Sequence, residues 1–376
     1  MRKGLVLLGV AMGIAAVIYV FRPREWHTTA PTMGTYATVT IVGTPFDIMV
    51  GRMRRIEAAV MDEIMAVERL MSVYNPDSDV ARLNRGVSGE DVTIDPRTFE
   101  VLDRAVELSR LTGGAFNVFI LPAERLWGFK SGHARRVPSP ENTETPPGNG
   151  PEISLRDAGG KYSARLLKEG LKIDLGGIAA GYAVDMAVKI LKEMNVRSAL
   201  IDIGGDCYCL GMSAGGTPWR VAVRHPRGGG VLTVLELSDM AVTTSGDYED
   251  FFMENGKRYG HIFDPRTGRP AESGVVSATV VSDTCVMADA LATALVVMGK
   301  NDGLGLVRRL PSTECILVTE EEGKLNVIRS SVTTEDTEYT EDTEEKIPLR
   351  ALNTLKQRFH PRISRISRMG ATVSGF

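Results

Sequence analysis

The chain has 376 residues, of which 43% are hydrophobic and 24% are charged. This is the balance of a globular protein rather than of a fibrous or disordered one. The formal net charge is −3, so the chain lacks the basic field that neutralises nucleic-acid phosphates, and nucleic acid is not an expected partner. Four cysteines in this length exclude a disulfide scaffold.

Residues 1–27 are predicted to form a membrane anchor. Gly4–Phe21 carries no charged residue and just reaches the length needed to cross a bilayer as a helix. No small-residue cleavage site follows it, so we interpret it as an uncleaved signal anchor rather than a cleaved signal peptide. Basic residues flank both sides of this apolar run, and the added positive charge of the N-terminal amino group favours a cytoplasmic N-terminus. We expect a single-pass protein of the bacterial cytoplasmic (inner) membrane with its main domain on the periplasmic side.

Residues 28–330 are predicted to form the folded domain, with strands and helices mixed without strict alternation, which favours an α+β fold. The strands are predicted from alternating or short apolar runs at Tyr36–Val42, Leu171–Leu175, Ala199–Ile203, Trp219–Val223, Leu232–Leu237 and Val275–Val281. Helices are predicted from apolar residues at helical spacing in Met49–Met71, in Pro96–Leu111, after the glycines at 176–181 and in Met287–Met298.

Two segments have the composition of irregular chain. Ser131–Pro151 is rich in Pro, Gly, Asn and Glu, which predicts an exposed loop at about residues 130–152. Thr334–Tyr339 is repeated almost identically as Thr340–Glu345, and a basic stretch follows. In neither half of this C-terminal region do apolar residues recur at a spacing that would give a helix or strand one buried face. Residues 331–376 are therefore predicted to be a low-complexity, disordered tail.

The first segment suited to chemistry is Ile173–Asp185, in which a carboxylate ends a predicted strand and glycines open a predicted helix. Glycines let a ligand approach the backbone closely, and the free N–H groups of a helix N-terminus favour phosphate. The pyrophosphate of a nucleotide would suit this place. The segment matches neither G-x-G-x-x-G nor a P-loop, so a tight structural turn is the alternative interpretation.

The second segment is the predicted helix that contains Asp289 and Thr293, whose spacing of four places two oxygen ligands on one face. Mg²⁺ prefers oxygen ligands and usually takes one or two carboxylates, with water and substrate phosphates completing its shell. The alternative interpretation is structural: an aspartate favoured by the positive helix start, with a threonine in a core seam.

The third segment is Tyr259–Gly268, a predicted short strand that ends in a proline turn. It contains His261, one of five histidines, which can accept a proton from a hydroxyl near neutral pH. Asp264, three residues further on, could orient the imidazole or bind metal. The alternative is a histidine with satisfied hydrogen bonds at a strand edge.

Together these segments resemble the ApbE family of FAD:protein FMN transferases over about Thr32–Ser330. The matching motifs stand in the family's order: T-M-G-T at Thr32–Thr35, M-S-x-Y-x-P-x-S-[DE] at Met71–Asp79, T-G-G-A-F-[DN] at Thr112–Asn117, L-W-G-F at Leu126–Phe129, D-L-G-G-I-A-K-G-Y-A-x-D at Asp174–Asp185, T-S-G-D-Y at Thr244–Tyr248, H-I-x-D-P-x-T-G at His261–Gly268 and A-D-A-x-x-T at Ala288–Thr293. Agreement at all these separate places is not a chance event.

The resemblance implies a two-lobed α+β domain with mixed or antiparallel sheets and packed helices. It also implies a transferase that moves FMN from FAD, its substrate, to a threonine or serine hydroxyl of an acceptor flavoprotein, with Mg²⁺ as cofactor and AMP as product. A subunit of a membrane redox complex is one candidate acceptor. The residues implied to contact FAD are Met33, Tyr74, Ala115, Phe116, Asn117, Asp174, Ile262 and position 180. The Gly177 carbonyl, Asp289 and Thr293 would hold Mg²⁺, and His261 is the candidate base.

Two departures from the family pattern are visible. Ala180 stands where the family has lysine, which predicts weaker FAD binding, and Ala292 stands where many relatives have a second carboxylate. Two other functions stay open at this point. One is an FAD pyrophosphatase that releases FMN and AMP, and the other is a non-catalytic, membrane-anchored flavin-binding protein.

Overall fold

The computed structural model describes residues 10, 12–14, 19–130, 134–139 and 152–330. The predicted tail and most of the predicted anchor and loop therefore lie outside the described residues. The described residues belong to one compact unit, which favours one domain over two. Its first strand begins at Arg24, ahead of the predicted domain start at residue 28.

The strands of the described residues are distributed along the whole length of the domain. In chain order they are β1 Arg24–Thr32, β2 Thr35–Gly43, β3 Val92–Thr93, β4 Ile153–Asp157, β5 Tyr162–Leu166, β6 Ala199–Ile203, β7 Asp206–Leu210, β8 Trp219–Arg224, β9 Val231–Leu237, β10 Met240–Gly246, β11 Phe251–Glu254, β12 Lys257–Gly260, β13 Phe263–Asp264, β14 Arg269–Pro270, β15 Val275–Ser282, β16 Glu314–Glu321 and β17 Lys324–Arg329.

An eight-stranded sheet forms the centre of the fold, in the order β1-β2-β6-β7-β10-β15-β16-β17. A three-stranded sheet, β3-β5-β4, and the hairpins β8–β9, β11–β12 and β13–β14 complete the strand structure. Every described strand pair is antiparallel. All residues of β15 are buried, so the sheet is covered on both faces near its middle. The α+β prediction is confirmed.

Helices interleave with these strands. They are α1 Pro45–Met49, α2 Arg52–Met71, α3 Asp79–Arg85, α4 Pro96–Leu111, α5 Leu121–Leu126, α6 Ala179–Glu193 and α7 Cys285–Val307. The apolar stripe predicted within Met49–Met71 is the buried face of α2. That helix begins at Arg52 because Gly51, with a left-handed φ of 68°, separates it from α1. Helix α4 has the predicted bounds, with the Asp95 side chain capping its first turn.

Helix α7 is long and apolar enough to cross a membrane by length and composition. It is nevertheless a core helix, because 67% of its apolar window is buried inside the fold and it packs on β10 and β15. The predicted helix Met287–Met298 is its first part. Gly299, with φ 80° and ψ 177°, interrupts the helical geometry directly after that part.

The strand predicted at Leu171–Leu175 is wrong. These residues belong to no sheet, because their backbone groups find other partners. The Ile173 N–H donates to the Asn84 side chain at 2.7 Å, and the Asp174 N–H donates to the Val118 carbonyl at 2.8 Å. An apolar run indicates burial, but it does not indicate which acceptor takes each N–H.

The described part of the predicted loop, residues 134–139, is held against the hairpin β11–β12. The Arg135 guanidinium donates to the Phe251 carbonyl at 2.9 Å, and the Val137 N–H donates to the Glu254 carboxylate at 3.0 Å. Gly128 lets the same segment pass close to the L-W-G-F motif, since a Cβ at residue 128 would stand 2.6 Å from the Ala134 carbonyl oxygen.

Candidate active site

Two adjoining cavities bring the predicted site residues together. The first, of about 230 Å³, is lined by Ala115, Phe116, Asn117, Asp174, Gly177, His261, Ile262, Asp289 and Thr293 among others. The second, of about 180 Å³, is lined by Met33 and Tyr74 among others. Lys130, Asp174 and Gly176 line both, so the cavities share one wall. Residues far apart in sequence thus form one elongated site.

Ala180 is the predicted contact that lines neither cavity. It lies in the first turn of α6, half-buried and packed against the core. The structure therefore places this predicted cofactor contact beside the site rather than in its wall.

A glycine turn forms the wall that the two cavities share. The Asp174 carboxylate accepts the Gly176 N–H at 2.6 Å, which closes the turn ahead of α6. Most N–H groups at the start of α6 already have acceptors: those of Ile178 and Ala179 donate to the Leu175 carbonyl, and that of Gly181 donates to Asp289 Oδ2. The helix dipole still favours an anion at this end. The glycine turn and helix start predicted from the sequence are present, but most of the free N–H groups expected for a pyrophosphate are not.

An aromatic cluster fixes the segment that carries His261. Trp127 of the L-W-G-F motif donates its indole N–H to the Gly268 carbonyl at 3.1 Å, and its ring packs on Tyr259 and Phe263. Phe129 packs edge-on against Phe263. The two motifs therefore hold each other in place next to the first cavity.

His261 has its own hydrogen-bond partner. Its Nδ1 lies 3.2 Å from the Asp250 carbonyl oxygen. In the neutral ring, Nδ1 then carries the proton and donates it, which leaves the Nε2 lone pair free as a base. Burial lowers the pKa of His261 below its usual value, although the Asp250 hydrogen bond opposes that change. The neutral, basic form therefore persists at and below neutral pH.

Asp264 does not orient His261, contrary to the first alternative given for it. Its two carboxylate oxygens bind the Arg266 guanidinium at 2.8 and 2.9 Å. The imidazole is oriented by a backbone carbonyl instead. Sequence spacing could not show this, because Asp264 is close to His261 in the chain, whereas the fold brings the Asp250 carbonyl to the imidazole.

The predicted metal ligands converge at the start of α7. An added Cβ at Gly177 would lie 3.8 Å from the Thr293 hydroxyl, so the Gly177 backbone and the Thr293 side chain are neighbours. Asp289 is buried, and its Oδ2 accepts the Gly181 N–H at 3.1 Å. Asp185 sets the position of the helix, because its carboxylate accepts the Cys285 and Val286 N–H groups at 2.8 and 2.9 Å.

Two carboxylates line this end of the cavity. Asp206, which the sequence reasoning missed, lines the cavity with Asp289. Burial, followed by the charge of Asp289, raises the pKa of Asp206 well above its usual range. Burial also raises the pKa of Asp289 to about 7. A bound cation would relieve both effects.

The donors present suit Mg²⁺ rather than a softer metal. The described residues contain no group of three or more His, Cys, Asp or Glu side chains that could hold an ion. An ion here would instead take carboxylate, hydroxyl and carbonyl oxygens and complete its shell from water and substrate phosphates, as Mg²⁺ does. The residues therefore fit the implied metal.

Sequence reasoning missed two further groups in the cavity wall, Glu124 and Lys130. The Lys130 ammonium lies 2.9 Å from Asp174 and 3.7 Å from Glu124. Burial and the neighbouring Asp174 raise the pKa of Glu124 well above its usual range. The one signal in the sequence was position, since Lys130 directly follows L-W-G-F.

Gly181→Ala is expected to destabilise the site where α6 crosses α7. An added Cβ would stand 2.6 Å from the Cys285 carbonyl oxygen and 2.8 Å from the Asp289 Cβ, so the helices must separate. We expect a loss of about 1–3 kcal/mol in the free energy of unfolding, measured by denaturant titration. Gly305→Ala in α7 is the control, because nothing lies within 4 Å of its Cβ position. Equal stability of both variants would contradict the tight crossing.

Comparison with known proteins decides the family. The sequence model of the ApbE family matches residues 33–317. The chain belongs to the ApbE family. A relative from Vibrio cholerae named FAD:protein FMN transferase is 32% identical over 306 residues, covering 80% of this chain and 90% of that protein. A relative of the same name from Escherichia coli is 28% identical over 316 residues, covering 80% and 89%.

Solved structures agree with this ApbE-family assignment. The flavin transferase ApbE from Vibrio cholerae superposes with a TM-score of 0.71 at 30% identity, covering 82% of this chain and 98% of that one. The ApbE protein from Thermotoga maritima gives a TM-score of 0.68 at 33% identity, covering 79% and 94%. The recognition made from the sequence motifs is confirmed.

Proposed function

We propose that this ApbE-family chain transfers FMN from FAD to a threonine or serine hydroxyl of an acceptor flavoprotein in a Mg²⁺-dependent reaction. The observation that carries the proposal is the convergence, on one elongated site, of a glycine turn at a helix start, the Asp289–Thr293 pair and His261. The relatives that bear the name FAD:protein FMN transferase support the same activity.

The chain's residues have distinct parts in this reaction. The two cavities would hold the two halves of FAD, with the pyrophosphate at the shared glycine wall. The acceptor hydroxyl oxygen attacks the FMN phosphorus while His261 Nε2 takes the hydroxyl proton. The bond from that phosphorus to the bridging oxygen breaks, and AMP leaves with the electron pair.

Mg²⁺, held by Asp289, Thr293 and the Gly177 carbonyl, would neutralise charge on the phosphates. Its contribution is electrostatic, since phosphoryl transfer depends mainly on positioning and on charge neutralisation. Asp206 lies at the same end of the cavity, where it adds an oxygen that the chain lacks at Ala292.

Mass spectrometry of a co-expressed candidate acceptor tests the proposal. Transfer attaches FMN covalently to the acceptor through a phosphoester and releases AMP. Free FMN and AMP with an unmodified acceptor would instead show an FAD pyrophosphatase. Neither product, with FAD still bound, would show a non-catalytic flavin-binding protein.

We further propose that Gly4–Phe21 anchors the protein in the cytoplasmic membrane with the domain on the periplasmic side. The length of this apolar run and the lack of a cleavage site support the proposal. The full-length protein is expected to sediment with membranes and to be released by detergent, whereas a chain that starts at Arg24 should be recovered in the soluble fraction. Recovery of the full-length protein in the soluble periplasmic fraction would contradict the anchor.

A further inference from the structure

The walls of the two cavities are strongly acidic. The carboxylates that line them belong to Glu68, Glu124, Asp174, Asp206, Glu249 and Asp289. Among the described residues that line either cavity, Lys130 is the only lysine or arginine. A dinucleotide pyrophosphate carries negative charge, so it needs cations to enter such a site. A metal at Asp289 would supply one of them.

Lys130 stands where a second cation would act. Its side chain lines both cavities and is about one-fifth exposed, at 22%. An added Cβ at Gly176 would lie 3.7 Å from the Lys130 Nζ, so the ammonium lies over the glycine turn that opens α6. The ammonium and the positive end of the α6 dipole thus lie at the same part of the wall.

The ammonium is held there by its neighbours. Burial opposes its charge, but Asp174 and Glu124 together raise the pKa of Lys130 above its usual value. Asp174 Oδ2, at 2.9 Å, is its nearer ion-pair partner. Glu124, at 3.7 Å, is at ion-pair rather than hydrogen-bond distance. The ammonium therefore stays charged and keeps donor capacity for a ligand.

We propose that Lys130 is the counter-ion of the FAD pyrophosphate in this chain and thereby takes over the charge that Ala180 cannot supply. The inference rests on the proposed use of FAD. On this proposal FAD binding need not be weak, because the missing lysine is replaced from another part of the chain. Removing Lys130 also leaves the Asp174 carboxylate uncompensated beside the phosphates, so both changes oppose binding.

Fluorescence titration with FAD in the presence of Mg²⁺ tests the assignment in the full chain. We expect Lys130→Met to raise the dissociation constant for FAD by about tenfold or more, the scale of a hydrogen bond to a charged group. Lys130→Arg, which keeps the charge, should recover most of the affinity. Lys189→Met is the matched control, because Lys189 is exposed on α6 and lines neither cavity.

Salt dependence separates a charge contact from a packing role. Loss of a cation that meets the ligand should make FAD affinity less sensitive to salt in Lys130→Met than in the wild type and in Lys189→Met. If the Met variant binds too weakly to titrate, recovery by Lys130→Arg supports the assignment, and no recovery overturns it. Equal affinity of Lys130→Met and wild type overturns the Lys130 assignment alone. Failure of the wild type to bind FAD overturns it together with the proposed function.

Discussion

Asp289→Ala is expected to lower the rate of FMN transfer by about a thousandfold or more, because it removes the buried carboxylate at the centre of the proposed metal site. Asp206 lines the same end of the cavity. It belongs to a different element, however, and we do not expect it to replace the Asp289 carboxylate, which accepts the Gly181 N–H. The fold should persist, since the alanine leaves a small side chain within an intact helix. Transfer is measured by covalent FMN on the acceptor, and Mg²⁺ binding by calorimetry.

Asp302→Ala is the control, because Asp302 is exposed on the same helix and lines neither cavity. That variant should transfer FMN and bind Mg²⁺ like the wild type. Activity of Asp289→Ala within about tenfold of the wild type would refute the metal assignment, given the several kcal/mol that a metal ion contributes.

The raised pKa of Asp289 gives this site a pH dependence with a definite sign. Burial raises the pKa of Asp289 from the usual aspartate value of 3.8 to about 7. Between these values the folded state holds a proton that the unfolded state has lost, so, in the absence of added Mg²⁺, this group makes the free energy of unfolding fall as pH rises through that window and level off above it. Mg²⁺ needs the ionised carboxylate, so Mg²⁺ affinity should rise over the same window.

His261→Ala should slow transfer by roughly 10²–10⁴, the usual range for loss of a general base, while FAD binding is largely kept. The physical reason is the free Nε2 that the Asp250 carbonyl leaves in the neutral ring. Because burial lowers the pKa of His261, the rate at saturating Mg²⁺ should stay level as pH falls through about 6.5, the ordinary histidine pKa, and should drop only at lower pH.

His27→Ala is the matched control, because His27 is exposed on β1 and lines neither cavity. It should leave both the rate and its pH profile unchanged. A His261→Ala variant that loses FAD binding in proportion to its rate would assign His261 a structural role instead of a catalytic one.

The sequence alone determined much of this protein. The apolar period within Met49–Met71 predicted the buried face of α2, and the glycine signal at Thr112–Gly114 predicted the end of α4. Periodicity succeeds there because neighbours in the chain are neighbours on the helix. The motifs also named residues that the fold then gathered around two adjoining cavities.

Only the tertiary structure decided the electrostatics of the site. Lys130 meets Asp174, and Asp206 lines a wall with Asp289, although each pair is distant in sequence. Asp264, which is close to His261 in the chain, binds Arg266 instead. Leu171–Leu175 has the sequence pattern of a strand, but the Ile173 and Asp174 N–H groups donate to the Asn84 side chain and the Val118 carbonyl. Charges and hydrogen-bonding groups act on whatever lies within a few ångströms, and in this protein the fold, not the local pattern, chooses those neighbours.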